Sequence, residues 1–146
     1  MDGNQKGFTL IESLLVLSIF IIISSITVFT LKPQHSFIEK DSFFAQLKGD
    51  LYYAQQYALS HQHEVLVQFV PKEYKYYVLY RIGETPIIER NYTHNIMITE
   101  GTMPILFKFL PDGNINKFGS LIVYYRNKTY RITFLIGKGR FYVTDQ

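Results

Sequence analysis

The chain has 146 residues with a formal net charge of +3, and it contains 12 Tyr, 12 Phe and no Cys. This length allows one compact domain with an appendage and excludes two ordinary domains. The absence of cysteine excludes disulfides, thiolate metal sites and cysteine nucleophiles. A hydrophobic content of 47% excludes general disorder. The small positive charge is compatible with an acidic partner and equally with an ordinary domain.

A long apolar run follows a short polar start. Residues 8–31 carry a single charged side chain, Glu12. At about 1.5 Å per residue, a helix of this length spans the roughly 30 Å hydrocarbon core of a bilayer. A secretory signal would have a shorter apolar region, of roughly 7–15 residues, followed by a small-residue cleavage site. The run ends at Lys32-Pro33, where proline stops or kinks a helix. The pattern predicts a transmembrane helix over 8–31 and an external domain over 32–146.

The first seven residues, MDGNQKG, form a polar leader with Lys6 next to the apolar run. Positively charged residues tend to stay on the cytoplasmic side of a membrane. We therefore expect residues 1–7 to lie inside the cell and the C-terminal domain to lie outside it, anchored as a single-pass protein in the cell membrane.

Glu12 is the unusual residue of this segment. A carboxylate at the centre of a bilayer costs on the order of 2.5–3.5 kcal/mol, less near an end, and marks a functional position with a partner. Cleavage between Gly7 and Phe8 would create an α-amino group one helical turn from Glu12. In a bundle of such helices, Glu12 of one subunit could neutralise the amine of the next and so favour one axial register. Glu12 is therefore our candidate assembly residue.

The segment from Lys6 to Glu12, KGFTLIE, resembles the class III signal motif of type IV prepilins and pseudopilins. In that family a peptidase cuts after the glycine and methylates the exposed residue. The resemblance implies that Gly7 ends the leader, that Phe8 is the N-methylated first residue of the mature chain, and that Glu12 serves assembly. It implies prepilin peptidase, major and minor pilins and the membrane assembly machinery as partners. Many major pilins also bend their membrane helix at a proline, whereas the first proline here is Pro33, so helix melting on assembly stays open.

Helical periodicity continues after the apolar run, over about residues 36–60. The apolar positions recur at steps of three, four and seven residues and are Phe37, Phe44, Leu47, Leu51, Ala54 and Ala58. This pattern predicts an amphipathic helix. We favour packing of its apolar face on the domain's own sheet over a coiled coil with a partner.

The pattern changes to period two over about residues 64–143, which predicts an antiparallel β region. A hairpin turning at Pro71-Lys72-Glu73 joins a strand near 65–69 to one near 74–80. Further strands are expected at 87–92, 95–99, 105–110, 120–125, 129–136 and 140–143, with a turn at Asn127-Lys128. The predicted fold class is α+β. A long N-terminal helix, half membrane-spanning and half amphipathic, packs on a C-terminal antiparallel sheet as in pilins.

Two further resemblances concern function. The segments 109–113, FLPDG, and 139–143, GRFYV, are similar to H-type pseudopilins of type II secretion. The small size, the lack of cysteine, the lysine and tyrosine content and the short leader resemble minor pilins of the Gram-positive competence pilus. The second resemblance implies a structural minor pilin in a competence-type pilus for DNA uptake. The alternatives are a pseudopilin of a type II-like secretion system and a DNA-binding receptor subunit of the pilus.

Basic residues alternate with aromatic ones around residues 72–81, where Lys72, Lys75 and Arg81 are candidate DNA contacts. Aromatic rings can stack on bases while cations neutralise phosphates. We prefer a simpler interpretation than DNA binding, in which one face of a sheet is aromatic and buried while the other is charged and exposed to solvent.

Signals for catalysis are weak. Gly137-Lys138-Gly139 lacks the spacing of a phosphate-binding loop and predicts a turn. His61 and His63 could share a metal, but solvated histidines are ordinary at a helix exit, and His35 and His94 add no pattern. There is no nucleophile elbow around any serine. We expect no enzyme activity, no cofactor and no metal.

Overall fold

The computed structural model describes residues 9–31, 34–136 and 139–145, with the side chains of 27–31 and 34–38 left out. The leader, Phe8, and the Gly137-Lys138 part of the predicted turn lie outside the described residues. The chain divides into two compact units, with the boundary between Asp41 and Ser42.

Two helices open the chain: α1 is Leu10–Leu31 and α2 is Gln34–His61. The second helix passes through the unit boundary, so its first residues belong to the N-terminal unit and the remainder to the C-terminal unit. The sequence predicted both helices, and α2 is longer than the expected 36–60 by two residues at its start and one at its end.

The described residues of the C-terminal unit form eight strands in two antiparallel sheets. The strands are β1 Val65–Val70, β2 Lys75–Leu79, β3 Ile88–Asn91, β4 Ile96–Glu100, β5 Leu106–Phe109, β6 Gly119–Tyr125, β7 Lys128–Phe134 and β8 Phe141–Asp145. Sheet A has the order β3-β2-β1-β5, and sheet B has the order β4-β6-β7-β8. Each strand lies where the period-two pattern predicted one, which confirms the α+β fold class. The sequence did not indicate that the strands divide into two sheets.

Turn chemistry determines how the strands pair. The β1–β2 hairpin closes through a 3-10 turn at Pro71–Glu73, after which Tyr74 adopts a left-handed conformation with φ of 55°. The β6–β7 hairpin pairs Tyr125 with Lys128. Its turn is therefore Arg126-Asn127, one residue earlier than predicted, and Arg126 has a φ of 54°.

The core lies between α2 and the inner faces of the sheets. Leu47, Leu51, Ala54 and Ala58 of α2 are buried, as the helical period predicted. Phe43 is buried, whereas the predicted Phe44 is only partly covered. The sheets contribute alternate residues to the same cluster: Val65, Val67, Phe69, Tyr76, Val78, Ile96, Ile98, Phe107, Phe109, Leu121, Val123, Tyr125, Tyr130, Ile132, Phe134 and Phe141. Packing on the domain's own strands is thus confirmed as the role of this face of α2.

Polar contacts also fix α2 on the β region. The carboxylate of Asp50, itself buried, accepts a hydrogen bond from the Tyr76 hydroxyl at 2.7 Å and another from Arg90 Nε at 3.0 Å. Burial raises the pKa of Tyr76 far above its ordinary value, and the bond to Asp50 adds to this. One turn further along α2, Gln55 Nε2 donates to the Gly113 carbonyl at 2.8 Å. The helix is held at two points by side chains that face inward.

Candidate functional site

The N-terminal unit positions Glu12 in the first turn of α1. The backbone N–H groups of Glu12 and Ser13 both donate to the Thr9 carbonyl at 3.1 Å, so the helical hydrogen bonds begin at Thr9. Gly7 and Phe8, the predicted cleavage and methylation positions, lie outside the described residues. Glu12 forms no ion pair with any residue that the structure describes.

The surface of α1 around Glu12 is apolar on every side. From Leu10 to Ile26 the large hydrophobic side chains are all exposed, from 48% for Ile19 to 79% for Leu10. Monomeric soluble proteins rarely expose contiguous apolar surface of this extent, because water is then in contact with area that association would bury. Contact with lipid or with other helices would bury this surface.

In the part of the chain that the structure describes, no helix reaches the length and hydropathy needed to cross a membrane.

Two serines of α1 form short hydrogen bonds within the helix. The Ser18 hydroxyl donates to the Leu14 carbonyl and the Ser25 hydroxyl to the Ile21 carbonyl, each at 2.8 Å. Hydroxyls bonded one turn back need no outside partner in an apolar environment. Glu12 is the only charged side chain among the described residues of α1.

Lys72, Lys75 and Arg81 do not form one cluster. Lys72 is in the turn before β2, and Lys75 is the first residue of β2. Arg81 follows the end of β2, and the chain between Lys75 and Arg81 is largely extended, with a rise of about 3.3 Å for each residue. Lys75 Nζ is paired with Glu89 at 2.8 Å, which raises the pKa of Lys75. Arg81 lies 4.0 Å from Glu84 and packs over the Tyr80 ring. Two of the three candidate DNA contacts already have acidic neighbours.

Arg81 belongs to a different feature, which sequence reasoning missed. It lines an open concavity of about 480 Å³ on sheet A together with His63, Glu64, Tyr80 and Lys108. Lys108 Nζ and Glu64 form a 2.8 Å ion pair there. No spacing rule in the sequence links residues 63–66, 80–82 and 106–108, because the strand pairing alone brings them together.

Each histidine whose side chain is described packs against a tyrosine ring. The His61 ring stacks on Tyr57 at 3.8 Å between centroids, and its Nδ1 lies 2.9 Å from the Ser60 hydroxyl. His63 packs edge-on to Tyr80, and His94 packs edge-on to Tyr74. Within the described ranges no three His, Cys, Asp or Glu side chains are placed to hold a metal together.

Comparison with known proteins places this geometry in a family. Residues 2–28 match the prokaryotic N-terminal methylation motif. The chain is 36% identical over 138 residues to the competence protein ComGD of Bacillus subtilis strain 168, covering 94% of this chain and 92% of that protein. The fold is similar to the type IV minor pilin FimU of Pseudomonas aeruginosa PAO1 in two crystal forms. The TM-scores are 0.60 and 0.59 at 14% identity, covering 74% and 71% of this chain and 92% and 91% of the other.

An N-terminal methylation motif on an apolar helix, followed by a helix packed on antiparallel sheets, defines the class of proteins with a pilin-like fold. Within that class, the chain belongs to the ComGD family.

Proposed function

We propose that this chain is a minor pilin that prepilin peptidase cleaves after Gly7 and methylates at Phe8. It is then held in the membrane by residues 8–31 and assembled through that helix into a competence-type pilus for DNA uptake. The observation that carries the proposal is an apolar helix, exposed on all sides, with one carboxylate in its first turn. Major and other minor pilins and the assembly machinery are the partners this implies.

The role of the C-terminal unit in this proposal is structural. Its buried polar groups, Asp50, Gln55 and Ser120, bond to other groups of the fold, so they are not placed to act on a substrate. The unit supplies a rigid external body on the assembly helix, and we propose no enzyme activity for it.

The choice of a competence-type pilus rests on the similarity to the Bacillus subtilis protein. That protein is called a competence protein, and the similarity covers nearly the whole of both chains. A pseudopilin of a type II-like secretion system is the second candidate, because the same helix and Glu12 would serve it equally. Deletion of the gene distinguishes them: loss of DNA uptake with normal protein secretion supports the first, and the reverse supports the second.

Glu12→Gln tests assembly directly, because it removes the charge while keeping the size of the side chain. We expect the variant to insert into the membrane and to be processed, and to be missing from filaments sheared from cells that carry the complete machinery. Insertion should not suffer, since a carboxylate in an apolar helix opposes it. Immunoblots of membrane and sheared fractions give the result. Normal amounts of the variant in filaments would contradict the assembly role of Glu12.

A DNA-receptor role for the external unit is a separate proposal, with Lys72, Lys75 and Arg81 as contacts. The Arg81 guanidinium over the Tyr80 ring, at 5.3 Å, is the arrangement that favours it, because stacking and charge occur together there. The pairing of Lys75 with Glu89 weakens it.

A further inference from the structure

Sheet B has one side in the core and another side that is exposed. Directly opposite residues of antiparallel strands point to the same side of a sheet, and successive residues along a strand alternate between sides. Met97 is opposite Tyr124, and Thr133 is opposite Tyr142. The residue before each of Met97, Tyr124 and Tyr142 is buried, whereas these three side chains are 55%, 44% and 48% exposed. Large side chains therefore line the side of sheet B that is turned away from the core.

Two arginines share this side of the sheet. Arg131 is opposite Ile122, in the row of side chains next to Tyr124. The Leu135 N–H donates to the Arg140 carbonyl at 2.8 Å, which continues the pairing of β7 with β8 beyond the buried Phe141. Alternation then places Arg140 on the exposed side. We define the outer face of sheet B by Met97, Ile122, Tyr124, Arg131, Arg140 and Tyr142.

The sheet B strands turn their carboxylates to the other side. Glu100 is opposite the buried Leu121, and Asp145 is opposite the buried Tyr130. Both acidic residues therefore lie on the side of the core. Arg140 forms no ion pair with any residue that the structure describes. The outer face of sheet B thus combines exposed apolar and aromatic surface with positive charge.

This composition is that of a protein–protein interface. The cores of such interfaces are enriched in tyrosine, methionine and arginine and depleted in lysine, aspartate and glutamate. A partner surface with apolar atoms would bury Met97, Ile122 and the tyrosine rings, and carboxylates on it would pair with the arginines. DNA fits less well, because two cations neutralise few phosphates and the aliphatic side chains would gain no apolar partner.

The area of the outer face limits what kind of complex it can form. Four strands about 4.8 Å apart and roughly 20 Å along their length give a projected area of roughly 400 Å². Each partner in a stable free complex buries about 800 Å². A contact of this size suits a partner that another attachment already holds close, because tethering raises its effective concentration.

We propose that the outer face of sheet B binds a different protein subunit of the same assembly, through a surface that is apolar at its centre and bears carboxylates facing Arg131 and Arg140. A second copy of this face does not fit, because two copies would bring arginines together with no carboxylate from either side. The inference rests on the proposed function, since it takes assembly into a pilus as given.

Photo-crosslinking in cells with the complete pilus machinery tests the contact. Benzoylphenylalanine at position 124 of the full chain should link to a different filament subunit, in a segment that contains aspartate or glutamate, as read from fragment masses. Position 77 is the matched control, because it is also a tyrosine but lies on sheet A, and it should not give this product. Links from position 124 to another copy of this chain, to DNA or lipid alone, or to nothing would overturn the proposal.

A charge exchange shows whether the arginines take part. Arg140→Glu should lower the yield of the link from position 124 about tenfold, because the carboxylates would then repel each other. Lys128→Glu is the matched control: it makes the same change of charge on the same sheet, opposite the buried Tyr125, and should leave the yield unchanged. Lysine in place of the acidic residue in the linked segment should restore the yield with Arg140→Glu.

The amount of this chain in sheared filaments, measured in the same cells, separates the two proposals. Normal incorporation without the link, or equal effects of the two charge variants, would mean that the outer face has another role while the proposed function stands. Absence of the unsubstituted chain from filaments would contradict the proposed function itself.

Discussion

The Tyr76 hydroxyl of β2 donates a 2.7 Å hydrogen bond to the buried carboxylate of Asp50 on α2. Arg90 of β3 completes the contact from a more exposed position, at 3.0 Å, so one carboxylate joins the helix to two strands of sheet A. A buried carboxylate needs such donors, because an uncompensated charge in the interior is costly. Helix α2 is thereby fixed to sheet A within the C-terminal unit.

Tyr76→Phe should destabilise the fold by about 1.5–3 kcal/mol, the range for a hydrogen bond to a charged group. The ring still fills the core, and Arg90 still pairs with Asp50, so the change isolates the hydroxyl. Urea unfolding of the full chain in mild detergent, followed by circular dichroism, measures the loss. Tyr124→Phe, at a tyrosine that is 44% exposed on sheet B, is the matched control and should change the free energy of unfolding little. Equal effects of the two variants would show that Asp50 does not depend on Tyr76.

Tyr92 offers the opposite case. Its buried hydroxyl has no hydrogen-bond partner among the residues that the structure describes, so Tyr92→Phe should be neutral or stabilising. Burial, with a smaller contribution from Tyr74, raises the pKa of Tyr92 to about 12. The unfolded chain releases this proton near pH 10 and the folded chain near 12, so the fold keeps its full stability below pH 10 and loses stability as the pH rises from 10 through 12.

Unfolding measured between pH 9 and pH 12 should therefore show falling stability for the wild type and a shallower fall for Tyr92→Phe. Tyr124→Phe should keep the wild-type slope. A Tyr92→Phe variant with the full wild-type slope would place the alkaline sensitivity elsewhere.

The periodicity of the sequence predicted the helices and strands of the C-terminal unit, because each of them has one face in the core and another in contact with solvent. Leu47, Leu51, Ala54 and Ala58 recur at helical spacing and all lie in the core. The N-terminal segment was equally readable, since a single carboxylate in an apolar run has few explanations. These features are local in sequence, and the physical rule that produces each one acts over a few residues.

The division into two sheets was not readable, because it depends on which strands pair. Leu66 is opposite both Leu79 and Lys108, partners that are 13 and 42 residues distant, and nothing local selects them. The concavity around Arg81 is built by that pairing and was missed for the same reason.

Two glycines predict opposite responses to alanine. A Cβ on Gly49, within α2, would meet nothing within 4 Å, so Gly49→Ala should stabilise the chain by about 0.5–1 kcal/mol through helix propensity. Gly139 has a φ of 55°, and a Cβ there would lie 2.7 Å from Gln55 Nε2 and 2.9 Å from Phe109. Gly139→Ala should cost about 2 kcal/mol or more, since strain and the displaced Gln55 contact add. Urea midpoints that move in the same direction for both variants would contradict this contrast.

Processing can be read from intact mass. Co-expression with an active prepilin peptidase should shorten the chain by the seven residues MDGNQKG and add one methyl group to the amine of Phe8. Gly7→Val is the control, because a β-branched residue at the cleavage position should leave the leader attached while α1 is unchanged. Retention of the leader by the wild type, or a cut near Pro33, would mean that the segment acts as a simple anchor or secretory signal.

DNA binding provides the last test, and it concerns the basic side chains of the C-terminal unit. Each side chain that neutralises a phosphate contributes about one unit to the slope of log affinity against log salt. If Lys72, Lys75 and Arg81 all contact DNA, alanine at the three positions should reduce that slope by about three. We expect a much smaller change, because Lys75 is paired with Glu89 at 2.8 Å and Arg81 lies near Glu84.

The matched control is alanine at Lys117, Arg126 and Lys128, which are exposed positions where the substitutions remove the same total charge. Binding of the detergent-solubilised full chain to labelled duplex and single-stranded DNA over a range of salt, with circular dichroism to check the fold, compares the two triple variants. Similar weak binding by both supports a structural subunit. A slope reduced by about three in the first variant alone would make those side chains a phosphate-binding surface and this chain a DNA receptor.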